Sequence, residues 1–136
     1  MTGEFRTYKI TDAAGVLAGR VVVQGTNAGE CKKPSSADEG KAIGITQEAQ
    51  ATQNKGVLVK ESGRSRVVAA GVIAVGDAIG IADNTGKVKS VQTDMAAAPG
   101  TAKVVNVLGY ARTAAGADGD EIEVQINIFT VKTAAT

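Results

Sequence analysis

Four acidic side chains stand close together late in the chain, at Asp118, Asp120, Glu121 and Glu123. Carboxylate oxygens at this density could hold a hard cation such as Ca²⁺. However, Asp118 precedes a glycine, which is typical of a turn, and the two glutamates begin an alternating run that is typical of a strand. We therefore interpret the group as a solvated hairpin tip, with an enzyme that uses these acids as the alternative.

The other common catalytic groups are scarce. Histidine is absent, which removes the usual general base and the imidazole ligands of zinc sites. Cys31 is the only cysteine, so it can form no intramolecular disulfide, and we expect a half-buried structural thiol. The segment GIADNTGK (80–87) fails the phosphate-loop pattern because its glycines are one residue too far apart, so we expect a hairpin there. We expect no catalytic site, no metal, no cofactor and no enzymatic activity.

Two groups of residues suit the binding of another protein. Lys60, Arg64 and Arg66 flank a Ser-Gly turn and could meet an acidic partner surface, unless they form only a solvated hairpin. The N-terminal run FRTYKIT (5–11) alternates like a strand and carries half of the chain's four aromatic residues.

This N-terminal run predicts a partner contact. We expect residues 1–12 to form an N-terminal arm or edge strand that adds to a neighbouring sheet or crosses to an adjacent subunit. The competing interpretation is that the run completes the protein's own first sheet. The candidate contact residues in the run are Phe5, Arg6, Tyr8, Lys9 and Ile10.

The composition favours many short strands to carry these residues. Hydrophobic residues make up 43% of the 136 residues, but aromatics only 3%, and 17 glycines supply many turns. A net charge of +1 is far from the strongly basic surface of a nucleic-acid binder. No 18-residue apolar run is present, and the start MTGEFRTYKI has no signal-peptide core, so we expect no membrane partner and synthesis in the cytoplasm.

The chain also matches itself. Residues 16–32 align without a gap on 73–89 at an offset of 57, and residues 43–60 align on 108–125 at an offset of 65. The match predicts one β domain over 1–136 with an internal repeat, 13–60 and 69–125, and an insertion in the second half between 90 and 102. Gly19 falls on Gly76 in this alignment, which predicts equivalent turns.

Each half reads as four strand-like runs with an Asn-X-Gly turn between two of them, at 27–29 and 84–86. Along the last run, Ile122, Val124, Ile126 and Ile128 alternate with polar residues and should face inward. The only helical candidate is a turn near 93–98. The predicted class is all-β: a compact β-sandwich or β-barrel built from two similar strand-turn-strand units, with little or no helix.

Two stretches, AAGVIAVGDAIGIADNTGKVKSV (69–91) and VLGYARTAAGADGDEIEVQIN (107–127), resemble the head decoration, or capsid cement, proteins of tailed bacteriophages, with VLAGRVVVQGT (16–26) as the first-half counterpart. The resemblance covers most of the chain and rests on the order and spacing of glycine-rich motifs. It implies a structural virion protein on the exterior of an assembled capsid, in contact with the major capsid protein, often trimeric, with no cofactor. The alternative is a carbohydrate- or receptor-binding module of a phage tail or bacterial surface, which the absence of tryptophan disfavours.

Overall fold

A computed structural model describes residues 3–37, 39–95 and 103–133, and these confirm the predicted all-β class. These ranges contain ten strands and one short helix, in the order β1 Phe5–Ile10, β2 Val21–Gln24, β3 Glu30–Lys32, β4 Ala42–Thr46, β5 Gly56–Lys60, β6 Gly63–Val68, β7 Ala78–Ile81, β8 Val88–Ser90, α1 Gln92–Met95, β9 Lys103–Ala111 and β10 Glu121–Thr133. Within the described ranges, no helix is long and apolar enough to cross a membrane.

The first five strands close into a barrel in the order β1-β3-β2-β4-β5. β1 lies between two partners: it pairs antiparallel with β5 from Phe5 opposite Lys60 to Lys9 opposite Gly56, and parallel with β3 at its end. β1 is therefore neither an arm nor an edge strand. It completes the protein's own sheet, because alternation identifies a strand but does not say which chain supplies its neighbours.

The second five strands repeat this arrangement. They form a sheet in the order β6-β10-β9-β7-β8, and a parallel bridge between Ala69 and Val88 joins its two ends. In the first half, Ile10 pairs in parallel with Cys31 at the corresponding place. The two halves thus share one cyclic strand order.

The pairing registers agree residue by residue. β2 pairs with β4 at Val22 and Gly44, and β7 pairs with β9 at Ile79 and Gly109, positions that the sequence offsets of 57 and 65 relate. In both halves the hairpins β2–β3 and β7–β8 are antiparallel, which confirms the two turns predicted from Asn-X-Gly.

The loops repeat as well. Gly19 has φ 71° and donates its N–H to the Thr46 carbonyl, whereas Gly76 has φ 90° and donates to the Ala111 carbonyl. The predicted equivalence of the two glycine turns is confirmed. Positive φ explains the choice of residue, since a side chain is strained in that region.

Buried residues fill both units and the junction between them. The first barrel encloses one cluster: Tyr8, Ile10, Val16, Val22, Cys31, Val57 and Val59. The offsets carry the last five of these positions onto buried residues of the second unit: Ile73, Ile79, Val88, Ile122 and Val124. The strand pairing makes Val67 and Ala69, which are also buried, the equivalents of Tyr8 and Ile10. Val21, Val23 and Ile45 of the first half join this second cluster, so the halves share a core.

The second half departs from the repeat after β8. α1 overlaps the helical turn expected at 93–98; positions 96–102, which hold most of the predicted insertion, lie outside the described residues. β9 and β10 extend beyond their first-half counterparts. A β-bulge between Ile126 and Phe129 shifts the register, so the inward position predicted for Ile128 is wrong: its side chain is 39% exposed.

Candidate functional site

The outer face of β1 and β5 keeps three of the predicted contact residues accessible. Phe5 is 50% exposed, and the Lys60 ammonium lies 4.9 Å from the centre of its ring, in cation–π geometry. The two residues are also directly opposite each other in the β1–β5 ladder. Lys9, on the same side of β1, lies 3.5 Å from the Glu30 carboxylate. We call Phe5, Lys9 and Lys60 the β1 face.

Tyr8 and Ile10 cannot belong to a contact surface, which corrects the sequence-based assignment. Both side chains are buried inside the first barrel, at 8% and 0% exposure. The Tyr8 hydroxyl donates a hydrogen bond to the Glu61 carboxylate, while Arg6 lies 4.0 Å from the same carboxylate. Burial first, and then Glu61, raise the pKa of Tyr8 to about 12.

Arg64 and Arg66 line a groove between the two halves. Their guanidinium groups lie 3.3 Å from Glu123 and 3.2 Å from Glu121, so the predicted basic patch carries two internal ion pairs. The groove encloses about 380 Å³, and Gln47 of the first half spans it with a 2.9 Å hydrogen bond to the Ser65 hydroxyl. Its charge is balanced, which weakens the case for an acidic partner at these arginines.

The acidic group of the β9–β10 connection is engaged within the protein. Asp118 lies 2.9 Å from the Lys87 ammonium, and Asp120 accepts hydrogen bonds from the backbone N–H groups of Gly116 and Ala117. With Glu121 and Glu123 paired to arginines, the four carboxylates point to different partners. In the described ranges, no group of three or more acidic or cysteine side chains is arranged to hold a metal ion.

Cys31 is a core residue. Its side chain is fully buried in β3, and burial, with a smaller effect of the Asp12 charge, raises the pKa of the thiol to about 12. The sequence predicts a half-buried thiol, whereas the barrel encloses it completely. A thiol in this environment stays protonated and is a poor nucleophile.

The residue that sequence reasoning missed is Arg20. The repeat alignment sets it opposite Asp77, and this exchange of charge indicates a surface position. In the structure, Arg20 is half-buried at the junction of the halves, and its guanidinium donates to the Thr85 carbonyl at 3.2 Å. The alignment contained a signal that could have identified Arg20. A position that carries opposite charges in the two halves is not needed to build either half, so its charge can serve another role.

Comparisons with known proteins add a likeness of fold. No protein-family model matches the sequence, and no curated protein matches it. Among solved structures, the chain is similar to one described as head fiber gp8.5 N base in bacteriophage phi29, with a TM-score of 0.63 and 16% sequence identity. The alignment covers 93% of this chain and 95% of that chain. The two chains therefore share their fold over almost all of the residues compared.

Proposed function

We propose that the chain is a structural virion protein that binds the outside of an assembled phage capsid and stabilises it. One observation supports this above the others: over 93% of its residues, the chain has the fold of a protein described as head fiber gp8.5 N base in bacteriophage phi29. The sequence resemblance to decoration proteins points to the same part of a virion.

The architecture suits such a role. A closed barrel and a second five-stranded sheet with a shared core form a self-supporting module, and binding to a repeated capsid lattice requires an exposed surface rather than a catalytic cleft. We propose that the protein is not an enzyme and uses no cofactor. Its partners in this proposal are the major capsid protein and further copies of itself, with a trimer favoured, and not nucleic acid.

The β1 face is the proposed capsid contact. Phe5 offers an exposed aromatic ring, and the Lys60 ammonium beside it lies over this ring. Both groups could therefore contact a partner at the same place. Exposed aromatic residues such as Phe5 are enriched at protein–protein interfaces relative to the rest of the surface.

The test uses heads of the phage whose genome encodes the chain, prepared from a mutant that lacks the gene and emptied of DNA. Purified protein should co-sediment with these heads to a saturating number of copies and raise the temperature at which they fall apart. Heads that already carry the protein should bind none. Absence of co-sedimentation, or immunogold labelling of the tail in place of the head, contradicts the proposal.

Surface variants then locate the contact. Phe5→Ala with Lys60→Gln should weaken head binding by about tenfold or more if the β1 face is an interface hot spot. The matched control is Arg64→Gln with Glu123→Gln, which removes an exposed ion pair elsewhere. Equal binding by both double variants moves the contact away from the β1 face. Sedimentation equilibrium of the parent protein tests the trimer.

A further inference from the structure

A second cavity, of about 290 Å³, opens on the first barrel. It lies between the β1–β2 loop and the β4–β5 loop, against the β7–β8 turn, and its volume is at the lower end of the range for ligand pockets. Most of its wall is apolar, and Leu17 at its edge is 59% exposed. The apolar lining includes Ala14, Val16, Leu17, Ala49 and Ala51.

Two cations line this apolar pocket: Arg20 and Lys33. Among the described residues, neither the Arg20 guanidinium nor the Lys33 ammonium has a carboxylate within 4.0 Å, although the cationic groups of Arg6, Lys9, Arg64, Arg66 and Lys87 each have one. The Asp12 carboxylate lies close to Lys33, but it accepts a 2.7 Å hydrogen bond from the backbone N–H and forms no ion pair with the ammonium. The Arg20 guanidinium makes one hydrogen bond, to a backbone carbonyl, and its buried Nε has no partner in that part of the chain. A cation beside apolar surface without a counter-charge is unfavourable, so an anion that completes the site should bind well.

Asp83 is an acidic residue whose pKa is affected by the charge of Arg20. Burial raises the pKa of Asp83, but hydrogen bonds from Thr85 and the charges of Lys87 and Arg20 lower it below its ordinary value. Asp83 uses its carboxylate to accept these hydrogen bonds within its own turn, and it is not within ion-pair distance of Arg20. Asp83 therefore forms no ion pair with either pocket cation.

The second half of the chain serves as an internal comparison. At the positions of Arg20, Lys33 and Leu17 it has Asp77, Ser90 and Ala74. Asp77 accepts a 3.0 Å hydrogen bond from the Ala74 N–H and so stabilises its own loop. The barrel forms with these residues as well, which means that two cations and an exposed leucine are not needed to build it.

We propose that this pocket binds a segment of the head partner protein in which an apolar side chain stands next to an aspartate or glutamate. The apolar side chain packs between Val16 and Leu17, and the carboxylate lies against Lys33 and Arg20. The chemistry follows from the pocket alone; the identity of the partner rests on the proposed function.

The first test uses hexanoate as a probe, because it joins a short apolar chain to a carboxylate. In ¹H–¹⁵N correlation spectra, hexanoate should cause saturable shifts in the β1–β2 and β4–β5 loops. Hexylammonium, with the same chain and the opposite charge, should cause none there. The Lys33→Gln variant should bind hexanoate about tenfold more weakly, while Lys55→Gln, the same change of charge at an exposed position outside the pocket, should bind like the parent. Equal binding of both probes, or of both variants, overturns the inference.

The second test separates this inference from the proposed function. Leu17→Ser combined with Lys33→Gln should weaken co-sedimentation with emptied heads although the β1 face is intact, whereas Lys55→Gln should sediment like the parent. If the parent protein does not sediment with heads, the proposed function is wrong. The pocket then has no partner on the head, even if it binds hexanoate. If the parent and the pocket variant decorate heads equally, the proposed function stands and the pocket is not the contact.

Discussion

Tyr8 carries a hydroxyl group at a core position that an apolar residue fills in the second half. Its hydroxyl donates a part-buried hydrogen bond to Glu61, just beyond the end of β5, and the corresponding position of the second half is the apolar Val67. The folded protein holds the phenolic proton to about pH 12, whereas an unfolded tyrosine releases it near pH 10. Between these values the unfolded state binds fewer protons, so stability must fall as the pH rises.

Tyr8→Phe should remove the decrease in stability that deprotonation of Tyr8 causes at alkaline pH. At pH 8 the variant should be less stable by about 1–3 kcal/mol, since a hydrogen bond to a charged group is lost. From pH 10 to 12 the difference between variant and parent should shrink, because the parent loses the contribution that the variant lacks. Urea unfolding at pH 8, 10 and 11.5 measures the difference, and curves that stay parallel over this range would refute the assignment.

Cys31 should be chemically silent in the folded protein. With the thiol buried and its pKa raised to about 12, the thiolate is a negligible fraction at pH 8. A thiol reagent should label the protein only in denaturant, as mass spectrometry can show. Cys31→Val should cost less than about 1.5 kcal/mol, because Val88 fills the corresponding place in the second half. Fast labelling of the native protein contradicts this.

At the scale of elements, the β6–β7 loop contains two glycines with different roles. Gly76 has φ 90°, whereas Gly71 is not in the positive-φ region, and neither would bring an added Cβ within 4 Å of another residue. Gly76→Ala should therefore destabilise by about 1–2 kcal/mol through backbone strain alone. Gly71→Ala, the matched control, should be neutral or stabilising by up to about 1 kcal/mol. Thermal unfolding compares the two, and equal effects would mean that the loop adjusts its backbone.

β1 gives a second prediction at this scale. Deletion of residues 2–10 removes the strand between β3 and β5 together with two core side chains, Tyr8 and Ile10. The truncated protein should lose its cooperative thermal transition, and circular dichroism can follow this. Phe5→Ala changes only the exposed part of the strand and should leave the transition within a few degrees of the parent's. A truncated protein that melts normally would show that β1 is dispensable.

The strands and their repeat could be predicted from the sequence because both depend on local patterns: alternation, glycine at positive φ, and a second copy with the same spacing. The partners of β1 could not, since the parallel pairing with β3 joins segments that no local pattern links. The same holds for Arg64, whose partner Glu123 is 59 residues away. Ile128 was misassigned because one extra residue in a bulge reverses the faces of a strand.

For the whole molecule, the shared core decides how the two halves unfold. Val21, Val23 and Ile45 belong to the first barrel but pack among the buried residues of the second. Backbone hydrogen bonds also cross the junction, from Val68 to Gly19 and from Val21 to Gly86. Neither half can separate without exposing apolar surface and breaking these bonds, so we expect a single unfolding transition.

The two tyrosines test this directly, because the chain has no tryptophan and carries Tyr8 in one half and Tyr110 in the other. Tyr110→Phe leaves a fluorescence signal from the first half, and Tyr8→Phe leaves one from the second. In each variant the fluorescence midpoint in urea should coincide with the circular dichroism midpoint. Ile45→Ala, added to either variant, should lower both midpoints together by an amount equivalent to about 2–5 kcal/mol, as expected for truncation of a buried side chain. A midpoint that moves in one half and not in the other would show that the barrels are independent units, and the shared cluster would then be a contact rather than a core.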